Sequence, residues 1–361
     1  MSADQEMSPA TPASSPGAAA PTPNPSTPPT PTPTPTPPPP PSPPGGERGS
    51  RLAAVPWRSA GILIPFIILF VALSIGSGPF LSKTNLLNIL DQQSATLVIA
   101  VAGTFVLISG GIDLSVGAVY GLASVVFGEL AAHGWNPTLA IIAAVLAGVL
   151  VGLFNGVVST FFKINSLIAT LAMSFVVAGI ASLVTAGNLV LITNQAAADI
   201  ARSQFLGVNM STWVMVIVVV VLGLVLARSA YGRYVYAAGG NAEAARFAGV
   251  RVNLVRIVAF ALSGGAAALG GVLDSARVLE GNSTNNTTLT FTVVAGIVVG
   301  GTSIIGGEGA VWRTVVGVLL IALIGNGYGL LSLNPLYEQI TLGVIMLLAV
   351  GLDAWSRQAR R

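Results

Sequence analysis

Tyr231-Gly-Arg-Tyr-Val-Tyr-Ala-Ala-Gly-Gly-Asn-Ala-Glu-Ala-Ala-Arg-Phe-Ala-Gly-Val-Arg251 is the longest charged, amphipathic interruption in an otherwise apolar sequence. Apolar runs flank it at 213–227 and 254–273. Within it, Asn241 is a favourable N-cap residue and Gly249 a natural C-terminal stop, so 241–249 reads as a short helix. Strung outside the bilayer between two spans, such a helix needs a reason to be ordered. Docking onto another protein is one.

The flanking runs are typical of the whole chain. Hydrophobic residues make up 53% of it and charged residues 8%, with a mean hydropathy of +0.80. A soluble domain carries about 25% charged residues, so this chain lacks the polar surface to face water and reads as all-α, a polytopic helical bundle in membrane lipid. The net charge of +3 is spread over loops and forms no patch, which excludes nucleic acid as a partner. With no cysteine and a single histidine, His133, no metal site or Ser-His-Asp triad is expected.

Residues 1–50 stand apart. They hold 18 of the 23 prolines, enough to mark an extended or disordered tail that buries no core. From residue 51 to 361 about ten spans of roughly 20 residues are expected. They fall at 57–77, 86–109, 114–132, 138–161, 167–186, 212–227, 254–273, 289–305, 311–331 and 336–353. The sixth and eighth are short, and so expected to be tilted, broken or re-entrant. Placing the N-terminus inside puts 13 of the 16 basic residues on the inner side, leaving Lys83, Arg202 and Arg277 outside. That bias follows the positive-inside rule. Both termini, and the loop at about 228–253, are then expected to be cytoplasmic at the plasma membrane.

No Walker loop is present, because neither Lys83 nor Lys163 follows a glycine. Ser-x-x-Lys and His-Glu-x-x-His are missing too, so no catalytic residue is expected and the chain does not read as an enzyme. Gly110-Gly-Ile-Asp-Leu-Ser-Val-Gly117 reads as a tight turn or broken helix, with Asp113 placed to cap the next helix. Alternatively, this polar break lines the route of a polar solute. The candidate pathway residues are Asn88, Gln92, Asp113, Ser115 and Asn155, which belong to a wider set of polar groups in or beside spans that includes Asp91 and Asp274. For each, the plainer role is an interhelical hydrogen bond worth roughly 0.6–2 kcal/mol.

Three blocks, taken together, resemble a known family. Gly110–Gly117, the stretch 231–251 and Gly300-Gly-Thr-Ser-Ile-Ile-Gly-Gly-Glu-Gly309 occur in the order and spacing of the permease subunit of ribose-type ABC sugar importers. That family sits within the branched-chain amino acid/ribose permease superfamily. The resemblance covers roughly residues 57–355 and implies a division of labour. A separate cytoplasmic ATPase would use ATP and Mg, leaving no cofactor to this chain. An extracytoplasmic sugar-binding protein would deliver a monosaccharide such as ribose, xylose or galactose, and a second permease subunit, as in a homodimer, would complete the pathway. By this analogy Gly239, Gly240, Asn241, Glu243, Ala244, Ala245, Arg246 and Gly249 form the coupling helix that engages the ATPase. Permeases for branched-chain amino acids or nucleosides are the near alternative, and a self-sufficient secondary transporter the more distant one.

Overall fold

The computed structural model describes residues 61–283, 286–334 and 336–358. The Pro/Thr-rich segment 1–50, the start of the first expected span and the last three residues lie outside the described residues.

Helices α1 (Leu63–Gly76), α2 (Lys83–Gln92), α3 (Ser94–Ile108), α4 (Val116–Ala132), α5 (Pro137–Phe161) and α6 (Ser166–Thr185) form the first half. Then come α7 (Gln195–Arg202), α8 (Met210–Arg228), α9 (Ala230–Gly240) and α10 (Ala242–Phe247). The chain continues with α11 (Val252–Val278), α12 (Thr287–Val299), α13 (Val311–Leu330) and α14 (Leu336–Gln358). Each of the ten expected spans coincides with a helix or, for the second, with the pair α2 and α3. Helices α5, α6, α8, α11 and α13 are long and apolar enough to cross a membrane alone. The pair α2–α3, bent by 49° at Gln93, makes a sixth crossing if taken as one. The remaining apolar helices α1, α4 and α12 are shorter.

Two expectations need correcting. The sixth span is not short: α8 runs 19 residues, because its polar ends, Met210-Ser-Thr and Arg228, continue the helix. The loop 228–253 contains α9 as well as the expected short helix. Helix α9 starts on a Ser229 cap, whose side chain accepts from the Gly232 amide.

The bundle is built around α3, all fifteen of whose residues are buried. A helix apolar on every side belongs in a protein core or a bilayer, and α3 takes the first place. Asparagine caps start five of the helices around it: Asn136, Asn165, Asn194, Asn241 and Asn286 each accept from a backbone amide of the first turn. Such a cap is worth about 1 kcal/mol. The closest helix pairing is α5 on α11. Gly148, Gly152 and Gly156 recur every fourth residue, and a methyl group at Gly152 would collide with the Phe260 carbonyl.

Loops assigned to one side of the membrane meet one another. At one end Val190–Leu191 pairs with Glu280–Gly281 as a two-stranded ladder, and Arg202 Nε donates to the Arg277 carbonyl at 2.7 Å. At the other, residues near 109, 239 and 306 come together. The alternation inferred from charge is therefore internally consistent.

Candidate functional site

The three sequence blocks converge on a glycine junction at the end of α3. The amide of Gly307 donates to the Ile108 carbonyl at 2.8 Å. Gly239, in the last turn of α9, lies against that same carbonyl, and no side chain fits between them. Gly110, Gly306 and Gly307 have φ of +84°, +100° and +78°, a region that favours glycine. They let three chain segments touch backbone to backbone.

Arg256, near the start of α11, ties the junction together. Its Nε donates to the Ser109 carbonyl at 3.0 Å and an Nη reaches the Ala238 carbonyl at 3.5 Å. One guanidinium thus bridges the ends of α3 and α9. Tyr236 on α9 donates to the Gly309 carbonyl at 2.8 Å, and Tyr231 donates to the Val255 carbonyl at 3.1 Å while stacking on Phe105 of α3. Burial raises both phenols above their ordinary range, so both remain donors at neutral pH.

From this base α10 projects outward. Asn241 Oδ1 accepts from the Glu243 and Ala244 amides at 3.1 and 2.9 Å, and Gly249, at φ +83°, follows the last turn as the expected stop. Glu243, Ala244, Arg246 and Gly249 are exposed, as are Gly240's neighbour Asn241 and Phe247, whereas Ala245 packs inward. Phe247 is 93% exposed. Its ring is therefore left almost wholly uncovered by the described residues.

The candidate pathway residues divide. Asp113, Ser115 and Asn155 form one buried network with Ser263 of α11. The Asp113 carboxylate accepts from the Ser115 amide at 3.0 Å, the Ser115 hydroxyl at 2.6 Å and the Ser263 hydroxyl at 2.8 Å. Asn155 Nδ2 donates to the Ser115 hydroxyl at 2.9 Å. The irregular segment before α4 is held by α6: Ser166 accepts from the Ile112 amide at 3.0 Å and Thr170 from the Leu114 amide at 2.9 Å. Irregular backbone at this depth is tolerated because its polar groups are satisfied by protein. The residue at the N-cap position of α4 is Ser115, not Asp113, and Asp113 acts one step upstream by accepting the Ser115 amide. Asn88 and Gln92 lie elsewhere, exposed on α2.

Asp113→Ala is expected to cost about 3 kcal/mol of stability, since it leaves buried donors without an acceptor. Asp113→Asn keeps an acceptor and is expected to cost about 1 kcal/mol. Chemical unfolding of the detergent-solubilised protein, followed by tryptophan fluorescence, checks the order.

Arg256, Tyr236 and Phe247 were not among the residues singled out from sequence. Arg256 carried a signal all the same: it stands inside the expected span 254–273, where a charge is costly and needs partners. Tyr236 had none, because its acceptor is a main-chain carbonyl far along the chain.

A bundle of membrane-crossing helices, with a buried polar network and a capped helix held out at one end, defines a multi-pass membrane protein. The family described as branched-chain amino acid transport system / permease component matches residues 85–350, and the chain belongs to it. The L-arabinose ABC transporter permease protein of Azospirillum brasilense is 35% identical over 302 residues, covering 84% of this chain and 89% of that protein. The ribose import permease protein of Bacillus subtilis is 36% identical over 295 residues, covering 81% and 92%. The autoinducer 2 import system permease protein of Salmonella typhi is 30% identical over 302 residues, covering 84% and 87%. No solved structure matches the chain.

Proposed function

We propose that this chain is the membrane subunit of an ATP-binding-cassette importer that carries a monosaccharide across the plasma membrane. A separate cytoplasmic ATPase drives it, an extracytoplasmic binding protein supplies the sugar, and a second copy of the chain completes the pathway. Both termini, α9 and α10 face the cytoplasm. The observation that carries this reading is the junction, where an exposed capped helix is joined backbone to backbone with the end of the buried central helix. The relatives named for ribose, L-arabinose and autoinducer 2 favour a sugar over a branched-chain amino acid.

In this mechanism α10 sits in a cleft of the ATPase, with Phe247, Glu243 and Arg246 at the contact. Closure of the ATPase pair displaces α10. The rigid base at Gly239 and the Arg256 bridge pass that displacement to α3. Movement of α3 against α11 then shifts the helices that hold Asp113, Ser115 and Asn155, the pathway residues that one network joins. Asn88 and Gln92 belong to the pathway only through the exposed face of α2.

Reconstitution into liposomes tests the proposal. Labelled sugar should enter only when the ATPase and ATP are present. Uptake by the chain alone would instead make it a secondary transporter. Phe247→Ala is expected to weaken co-purification of the ATPase by about 2 kcal/mol, or roughly thirtyfold in affinity, as for a central aromatic anchor. Reversing both Glu243 and Arg246 should abolish ATP-driven uptake while the chain still folds, which circular dichroism checks.

A further inference from the structure

Helix α12 has 13 residues. At 1.5 Å per residue it spans about 20 Å, against a hydrocarbon core of about 30 Å. A helix this short leaves part of that depth to other structure, and polar groups are tolerated there where they line a cavity. A cavity of about 610 Å³ opens between α4, the end of α11 and the start of α12.

Most of its lining residues are polar. Tyr120, Ser124, Ser275, Asn282, Asn286, Asp274 and Glu280 all line it, while Val278 is its single aliphatic member among the described residues. Asp274 accepts from the Tyr120 hydroxyl and is paired with Arg277, so its charge is compensated. Half-buried Glu280 accepts from the Ser275 hydroxyl through its main-chain carbonyl at 2.8 Å, while its carboxylate has no hydrogen bond or ion pair among the described residues. The floor is closed. The Gly117 amide donates to Thr290 Oγ1 at 3.1 Å, and Gly117 lies directly against the Asn286 carbonyl. Below that seal, on the same stretch of chain, come Ser115 and Asp113.

We infer that this cavity is a binding vestibule for a neutral cyclic polyol, with the Glu280 and Asp274 carboxylates accepting from neighbouring ring hydroxyls and the asparagine amides serving as further partners. Its volume falls in the range of about 300–1,000 Å³ that small-molecule sites occupy. Hydroxyls and amides can both donate to and accept from a sugar without demanding charge. The inference rests on the importer reading above, and places the sugar on the side of the seal opposite the ATPase.

The absence of cysteine from the chain makes a clean test. Val278→Cys puts a thiol on the cavity wall, and Trp135→Cys puts one on an exposed loop elsewhere. Both are reconstituted with the ATPase and binding protein, and alkylation by a small hydrophilic maleimide is timed with D-ribose, L-arabinose, D-galactose, L-leucine or calcium added. The transported sugar should slow labelling at 278 at least threefold, leave 135 unchanged, and lose this effect when Glu280→Gln is added. Equal slowing at both positions, protection by leucine or calcium in place of sugar, or protection that survives Glu280→Gln would overturn the vestibule. So would no protection alongside normal ATP-driven sugar uptake, which leaves the importer reading intact. Absence of sugar uptake from the unsubstituted assembly would instead sink the importer reading itself.

Discussion

Gly239→Ala is expected to unfold or disable the protein, whereas Gly240→Ala, one residue on, is expected to be silent in folding. The added methyl at 239 points into the Ile108 carbonyl and the Gly307 amide, both main-chain groups already bonded to each other. Overpacking usually costs 1–3 kcal/mol, and an obstacle of backbone cannot swing aside as a side chain does, so the upper end, about 3 kcal/mol, applies. A methyl at 240 meets nothing within 4 Å. Thermal unfolding in detergent should show a fall of several degrees for the first and none for the second. Equal behaviour of the two would mean that α9 does not bear on α3 in the working protein.

Arg256→Ala is the second large effect, and its signature is a split between two activities. Removing the guanidinium frees the Ser109 and Ala238 carbonyls, which it alone bridges across α3 and α9. Hydrogen bonds from a charged donor contribute roughly 1.5–3 kcal/mol, so sugar moved per ATP hydrolysed should drop about tenfold or more. ATP hydrolysis itself should persist, since half-buried Arg256 bonds the ends of α3 and α9 and not the exposed residues of α10. Arg256→Lys should recover little, because an ammonium lacks the planar fork that reaches two carbonyls at once. If hydrolysis and uptake fell in parallel, Arg256 would be a folding residue only.

The parts of this architecture that depend on neighbouring residues were legible in advance. The cap at Asn241 and the stop at Gly249 are local chemistry, and the structure has both. Helix α9 was not legible, since Tyr231-Gly-Arg-Tyr with Gly239-Gly240 has weak helical preference. It is ordered by tertiary contacts, with Tyr231 against Phe105 and Tyr236 on Gly309. The glycine pairs were visible as motifs, but their meeting at one point joins residues 108, 239 and 307 and leaves no pattern in any window. The eighth span is short, as its run of apolar letters indicated. The sixth is not, because a helix continues through serine and threonine where a run of apolar letters stops. Among the candidate pathway residues, Asp113, Ser115 and Asn155 share a network while Asn88 and Gln92 do not, and this division is a matter of helix packing that spacing does not carry.

The uniform greasiness of α3 has a consequence for biosynthesis. Its principal partner α11 ends at residue 278, some 170 residues after α3 ends at 108. At about 5–20 residues per second, α3 leaves the ribosome roughly 10–30 s before its sheath is complete. A central helix with one polar stripe would spend that interval exposing it to acyl chains. The sequence Ser94-Ala-Thr-Leu-Val-Ile-Ala-Val-Ala-Gly-Thr-Phe-Val-Leu-Ile108 can lodge in lipid as comfortably as in protein, with the Thr104 hydroxyl turned back onto the Ala100 carbonyl. The innermost helix is thus built to wait outside, as a lipid-soluble guest, until the rest of the chain arrives to enclose it.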